Sequence, residues 1–135
     1  MNFAGDIEFT TKFRLTADDI SDILATALEG GIGYWSVLDN TTTDWEETSS
    51  GMQDATFSDV ATKMLFEGKK IRFIGADKDD EDEEWFLDME KFIHGCIHFE
   101  EEIGSIVRRL TDATFDADDA DMLIQFALFN EIIYG

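Results

Sequence analysis

Hydrophobic and polar positions alternate along residues 6–15 of the chain. The apolar positions fall on one side of an extended backbone and are Ile7, Phe9, Phe13 and Leu15. Charged and polar residues occupy the intervening positions on the other side. A period of two predicts a β-strand that has one face in water.

Helical periodicity replaces this alternation after Thr16. Apolar residues then recur three and four positions apart, at Ile20, Ile23, Leu24, Ala27 and Leu28. This spacing predicts an amphipathic helix. Thr16 is its predicted N-cap, and two acids follow in the first turn, where the helix dipole favours negative charge. Gly30 and Gly31 predict its end.

The next part of the chain has a weaker pattern. Residues 32–38 predict a short strand or an irregular buried segment. Residues 39–56 are polar and rich in Thr, Ser and Asp, so they predict a long loop with room for a short edge strand. Ser58 is the predicted cap of a helix that runs to about Glu67.

The following segment predicts a hairpin and then a helix. Residues 70–74 and 84–87 predict two strands joined by an almost wholly acidic connection, residues 75–83. Asp88 is the predicted cap of a helix that ends near Glu102. The predicted inward face of that helix consists of Met89, Phe92, Ile93, Cys96 and Ile97.

The C-terminal part predicts further helix. Residues 103–110 predict a short helical piece, and Asp116 begins a longer helix that runs to about Asn130. Residues 122–128 are apolar nearly all round, which predicts a central place in the core. Residues 132–135 predict a last strand or a packed tail.

The elements together predict an α+β fold, in which a small antiparallel sheet packs with about four helices. The length of 135 residues suits one compact domain over residues 1–135. No internal repeat or linker composition divides the chain, and there is no proline.

The charge of the chain narrows its possible partners. The chain has 31 Asp and Glu against 10 Lys and Arg, a formal net charge of −21, and 44% hydrophobic residues. The apolar content is too high for an acidic disordered tail, and the charge exceeds the magnitude of about 2–8 usual for a small domain. Such a surface repels nucleic acid and anionic lipid and attracts a basic groove. We therefore expect no direct binding to nucleic acid or membrane.

The acids are concentrated in two stretches. Ten acids and no base lie between Leu15 and Thr62, and nine acids with one base lie in residues 77–90. The candidate partner-binding residues are Asp77, Asp79, Asp80, Glu81, Asp82, Glu83, Glu84, Asp44, Glu46, Glu47 and Trp45. Trp45 and Trp85 are candidate hot-spot anchors if they are exposed, and core residues otherwise.

Other chemistry has only weak signals. Residues 77–82 have the oxygen spacing of a calcium loop but lack the glycine at its sixth position. His94 and His98 share a helix face, with no second histidine or cysteine pair to complete a metal site. Glycines 30, 31 and 33 follow a helix rather than a strand, unlike a phosphate loop. We therefore expect no enzyme activity and no cofactor.

The cellular location is predicted from what the sequence lacks. The one cysteine, Cys96, allows no intramolecular disulfide, which fits a reducing compartment. The N-terminus has neither a basic region nor an apolar run, and no segment approaches the ~18 apolar residues of a membrane span. These features predict a cytoplasmic protein.

Two segments resemble a known family. Residues 18–35, DDISDILATALEGGIGYW, and residues 120–135, ADMLIQFALFNEIIYG, resemble the two ends of a family of small phage and prophage proteins. The strand–turn–strand–helix order over residues 70–95 is also similar. The family usually has Gly in place of Asn130 and a shorter acidic loop. The resemblance implies a phage context, in which small acidic proteins often act against restriction or CRISPR nucleases, and it carries over no functional residue.

Three hypotheses follow. The leading one is a non-enzymatic phage inhibitor that mimics DNA and occupies the basic nucleic-acid groove of a host defence enzyme. The alternative is a structural or adaptor protein, as a monomer or a homodimer, whose charge serves solubility only. Halophilic adaptation is a further explanation of the charge. The third is a binder of divalent ions.

Overall fold

A computed structural model describes residues 5–7, 12–77, 79 and 82–135. The elements in chain order are α1 (Ala17–Thr26) with a continuing π-helical turn (Ala27–Gly31), β1 (Ser36–Leu38), α2 (Thr43–Ser50), α3 (Phe57–Phe66), β2 (Ile71–Gly75), β3 (Glu84–Leu87), α4 (Met89–Glu102), α5 (Ile106–Thr111) and α6 (Ala117–Phe129). This order confirms the predicted α+β class, with six α-helices in the described residues rather than about four.

The three strands form one antiparallel sheet in the order β1–β2–β3. Side chains alternate across it, so Ile71 and Phe73 of β2 are buried against the helices while Arg72 points outward and is half-buried. The outer face also carries Val37, which is 50% exposed, and Phe86. The predicted hairpin is confirmed, with Ile71 opposite Leu87.

Each α-helix begins after a residue whose side chain accepts a hydrogen bond from the backbone three positions on. These caps are Thr16, Thr42, Thr56, Asp88, Ser105 and Asp116. In α1, α3 and α6 the carboxylate at the third helical position accepts a hydrogen bond from the backbone amide of the cap residue, which completes a capping box. The caps predicted at Thr16 and Asp88 are confirmed, and the helix predicted to begin at Asp116 has that residue as its cap. The one predicted at Ser58 is wrong by two residues, because Thr56 makes that bond.

The long loop predicted over residues 39–56 is wrong, because residues 43–50 form α2. Its sequence has almost no apolar periodicity, so the helical pattern was not visible. Tertiary packing supplies the missing stabilisation: Trp45 is 5% exposed and its ring meets Phe57 edge-on at 5.3 Å. The buried Thr48 adds hydrogen bonds to Glu67 and from Lys69, so Trp45 and Thr48 together hold this short polar helix in place.

The predicted N-terminal strand is not observed where it can be tested. Residues 12–16 belong to no strand, and residues 8–11 lie outside the described part of the chain. Phe13 and Leu15 line a groove beside α3 and α4 instead of pairing with a sheet edge. Alternation supplied an apolar face here but no hydrogen-bonding partner, which a strand requires.

Helices α4 and α6 pack closely at Gly95. A methyl group built on Gly95 would lie 2.6 Å from Cβ of Ala127 and 2.7 Å from the Leu123 carbonyl oxygen. The face of α4 that contains Gly95 therefore packs against α6. Phe99 is buried, whereas Ile93 and Ile97 remain 51% and 46% exposed. The predicted inward face of α4 is therefore correct for Phe92 and Cys96 and wrong for these two isoleucines.

Helix α6 is central to the core, as predicted, and its end is defined by Asn130. Leu123 and Ile124 are fully buried. Asn130 has φ +62°, the left-handed conformation that commonly ends a helix and that Asn tolerates better than most residues other than Gly. The following residues form a packed tail rather than a strand.

We expect Gly95→Ala to destabilise the protein by about 1–3 kcal/mol, because the added methyl group would overpack the α4–α6 contact. Gly33→Ala is the matched control, since no atom lies within 4 Å of the position that its Cβ would take. Urea unfolding of the two variants measures the difference. Equal stabilities would show that the helices can separate at no cost.

Candidate functional site

Part of the acidic content serves the fold. Asp88 and Asp116 cap helices. The carboxylates that accept from the cap amides in the capping boxes are those of Asp19, Asp59 and Asp119. A hydrogen bond from Ser21 (Oγ to Oδ1, 3.0 Å) and further bonds from Thr56 hold the pKa of Asp59 below its usual value. The Asp119 carboxylate is buried and accepts a bond from Arg109 Nη1 at 2.9 Å. The formal net charge therefore overstates the number of carboxylates that are available to bind a partner.

The acidic hairpin end, residues 77–84, carries most of the predicted partner-binding residues. The Gly75 amide donates to the Glu83 carbonyl at 3.0 Å, and Ile74 lies opposite Glu84, so the strands reach the base of this segment. The described acids of the hairpin end are all exposed: Asp77, Asp79, Asp82, Glu83 and Glu84. Asp80 and Glu81 lie outside the described residues.

Arg72 connects the hairpin end to the other acidic stretch. Its guanidinium donates to Asp39 Oδ2 at 2.6 Å and to Glu84 Oε2 at 2.8 Å. Hydrogen bonds from Thr41, followed by that from Arg72, lower the pKa of Asp39. Glu84 is thus partly neutralised, whereas no ion pair within the described residues involves Asp77, Asp79, Asp82 or Glu83.

The predicted residues of α2 divide into exposed acids and a buried tryptophan. Glu46 and Glu47 are exposed and Asp44 is half-buried. Glu47 lies 3.9 Å from Lys69 Nζ. Trp45 is not available as an anchor, because its indole is buried against α3. Among the described residues, no hydrogen bond or ion pair joins these α2 acids to the hairpin end.

A polar cluster that the sequence reasoning missed lies on α6. Asp121 accepts hydrogen bonds from Tyr34 Oη at 2.5 Å, Trp35 Nε1 at 2.8 Å and Gln125 Nε2 at 2.9 Å. Burial, and then the bond to Asp121, raises the pKa of the Tyr34 phenol to about 12. We call Tyr34, Trp35, Asp121, Gln125 and Tyr134 the α6 hub.

The α6 hub also holds the C-terminal tail. The fully buried Gln125 accepts from the Ile133 and Tyr134 amides at 2.9 Å and donates to the Tyr134 carbonyl at 3.1 Å. The Tyr134 ring stacks on Trp35, with centroids 4.9 Å apart. Gln125 is the only polar residue in 122–129, and this was the signal that could have located the hub.

The α6 hub joins two segments that lie far apart in the chain. Tyr34 and Trp35 end the segment 18–35, and the remaining hub residues belong to the segment 120–135. The bonds from Tyr34 and Trp35 to Asp121 span 87 and 86 positions of the sequence. Both segments therefore build one packed junction.

The candidate nucleophile and metal ligands have structural partners. Burial, and then the Glu100 charge, raises the pKa of the Cys96 thiol to about 12, which disfavours the reactive thiolate. His94 Nε2 is 2.7 Å from Asn130 Oδ1, and the His98 ring stacks on Phe126 at 4.0 Å. In the described part of the chain, no three His, Cys, Asp or Glu residues lie close enough to hold a metal ion.

The fold and surface define a small acidic α+β protein. Comparisons with protein-family models, with curated proteins and with solved structures each find no match. The resemblance to small phage proteins therefore stays a prediction. No helix within the described residues has the length and apolar character needed to cross a membrane.

We expect Tyr34→Phe to flatten the loss of stability at alkaline pH. The folded-state pKa is raised from 10.0 to about 12, so the phenol stabilises the fold fully below the unfolded pKa and loses this effect as pH rises through the folded one. Urea unfolding at about pH 8 and about pH 11 measures the free energy of unfolding of both proteins. An identical fall in the two proteins would contradict the assignment to Tyr34.

Proposed function

We propose that this chain is a non-enzymatic phage protein that inhibits a host defence enzyme by occupying its basic nucleic-acid groove as a mimic of DNA. The enzyme class is a CRISPR or restriction nuclease, and the site of action is the host cytoplasm. The observation that carries the proposal is the acidic hairpin end: its described carboxylates are exposed, and they lie on a hairpin whose inner face is buried in the core.

The attachment of the hairpin to the core supports this proposal. Phe73 of β2 and Leu87 of β3 are almost fully buried, so both strands are fixed to the core. Carboxylates at the end of a fixed hairpin lose less conformational freedom on binding than carboxylates on a free tail. A DNA duplex presents one negative charge about every 1.7 Å of its axis. A dense run of acidic side chains is the protein feature that comes nearest to this charge density.

The distribution of charge supports a cationic groove, rather than nucleic acid, as the partner of the hairpin end. Four of the described acids at the hairpin end form no ion pair with another described residue, and Lys78 is the only basic residue in the sequence from 73 to 90. The field of such a surface accelerates encounter with a cationic groove and repels nucleic acid itself. The protein is thereby suited to compete with nucleic acid for a groove rather than to bind nucleic acid.

A second candidate function is that of an adaptor acting through apolar contacts. The observation that favours it is a group of exposed side chains on α3 and α4, in which Phe66 is 58% and Ile93 51% exposed. In that function the acids serve solubility. Neutralising the hairpin end should weaken the activity of a mimic and should leave the activity of an adaptor unchanged.

The test neutralises the hairpin end with Asp77→Asn, Asp79→Asn, Asp82→Asn and Glu83→Gln. The readout is displacement of fluorescent duplex DNA from purified CRISPR and restriction nucleases at increasing salt. We expect wild-type protein to displace DNA from its target, less so at high salt, and the variant to be weaker by about 10-fold or more. A pull-down from a phage host lysate supplies further targets.

The matched control removes the same charge elsewhere, with Glu90→Gln, Glu101→Gln, Glu102→Gln and Glu131→Gln. All four side chains are exposed. If the control falls as far as the hairpin variant, net charge alone is responsible. Displacement that is insensitive to salt, or that survives in the hairpin variant, would refute the mimic.

A further inference from the structure

The acidic hairpin end is attached on both of its sides to the α6 hub. On the β2 side, the Ala76 amide donates a hydrogen bond to the Trp35 carbonyl oxygen at 3.1 Å. On the β3 side, the Trp85 ring meets Trp35 edge-on, with centroids 5.5 Å apart, and lies 6.2 Å from the Tyr134 ring. Tyr134 Oη also donates to Glu83 Oε2 at 3.4 Å. The hub therefore holds the base of the acidic segment as well as the tail.

The C-terminal tail, residues 131–135, completes this attachment. It forms no helix or strand, and the backbone of Ile133 and Tyr134 is bonded to the side chain of the fully buried Gln125. The Tyr134 ring lies nearly parallel to that of Trp35, at an interplanar angle of 7°. One side chain of the tail thus contacts the loop after α1 and the hairpin together.

The acids of the hairpin end depend on contacts of this kind. Nine acids and one base lie in residues 77–90, so like charges repel one another along a short stretch of chain. The described acids at 77, 79 and 82–84 are all exposed. Within the described residues, the hydrogen bonds that reach these side chains from other parts of the fold come from Arg72 and Tyr134. Their placement is therefore decided at the base of the segment.

We propose that the tail fastens the acidic hairpin end to the α6 hub, with Tyr134 as the positioning residue of this contact. The consequence for binding rests on the proposed function, because carboxylates already held in one place lose less conformational freedom on entering a groove. The fastening itself does not depend on any partner. Both can therefore be tested separately.

The ring of Tyr134 contributes more to this contact than its phenol. The bond from the phenol to Glu83 is long and exposed, and such bonds are weak. The stack on Trp35 involves a ring that is only 4% exposed, and aromatic pairs stabilise beyond the area that they bury. Tyr134→Phe should therefore preserve the fastening, whereas Tyr134→Ala should release it.

Native-state hydrogen exchange of the full chain, followed by NMR, is the first test. The reporters are the Gly75 and Ala76 amides, which donate to Glu83 and Trp35 at the base of the segment. We expect Tyr134→Ala to lower their protection at least about 10-fold relative to the amides of α3, and Tyr134→Phe to restore it. Gln125→Met releases the tail by a second route, since it replaces the amide by an apolar side chain of similar length, and should have the same local effect.

Two controls separate fastening from general stability. Ile133→Ala changes a half-exposed side chain of the same tail and keeps the amide that bonds Gln125, so the two reporters should stay protected. Gly95→Ala lowers stability through the α4–α6 contact and should affect the reporters no more than α3. Reporters that stay protected in both Tyr134→Ala and Gln125→Met would overturn the proposal. So would losses that are equal in α3.

Displacement of duplex DNA from the target nuclease tests the consequence for binding. Tyr134→Ala leaves the formal charge of −21 and every acid of the hairpin end in place. We expect it to displace DNA several-fold less well than wild type, and Tyr134→Phe to match wild type. Equal displacement by Tyr134→Ala with deprotected reporters would refute the positioning role. If wild-type protein displaces no DNA, the proposed function fails, and the exchange measurement still decides whether the tail fastens the hairpin.

Discussion

The structure depends on the hydrogen bonding of Asp121 and Gln125 inside the core helix α6. Asp121 accepts from Tyr34 and Trp35, and Gln125 binds the backbone of the tail at residues 133 and 134. Gln125 is fully buried, and a buried amide is costly unless it is hydrogen-bonded, so its bonds fix the tail, while those of Asp121 fix the loop after α1. Stacking of aromatic rings around Trp35 then places the junction beside the sheet.

Tertiary position decides what each acid of this chain does. An acid at a helix start accepts a hydrogen bond from a backbone amide, as Asp59 does from Thr56, and one beside a cation is partly neutralised, as Glu84 is by Arg72. Of the other described acids at the hairpin end, Asp77, Asp79 and Asp82 are exposed, and Glu83 is exposed and accepts a hydrogen bond from Tyr134 Oη at 3.4 Å. The same residue type therefore serves folding at one place and a surface field at another, and composition cannot separate these roles.

The surface combines two regions of different physical character. The hairpin end offers charge without apolar anchors, since Trp45 is buried and Trp85 is half-buried among Trp35 and Phe129. The second region, on α3 and α4, exposes the large apolar side chains of Phe66, Ile93 and Ile97.

The sequence by itself determined the α+β class, the hairpin, and the starts of α1, α4 and α6, because caps and apolar periodicity act over a few neighbouring residues. It also located the acids of the hairpin end, but it did not show which of them form ion pairs. Helix α2 and the orientation of α4 were decided only by tertiary structure, through Trp45 and through the space at Gly95. So was the α6 hub, whose bonds join residues far apart in the chain. Contacts of this kind depend on packing geometry, and no local pattern records them.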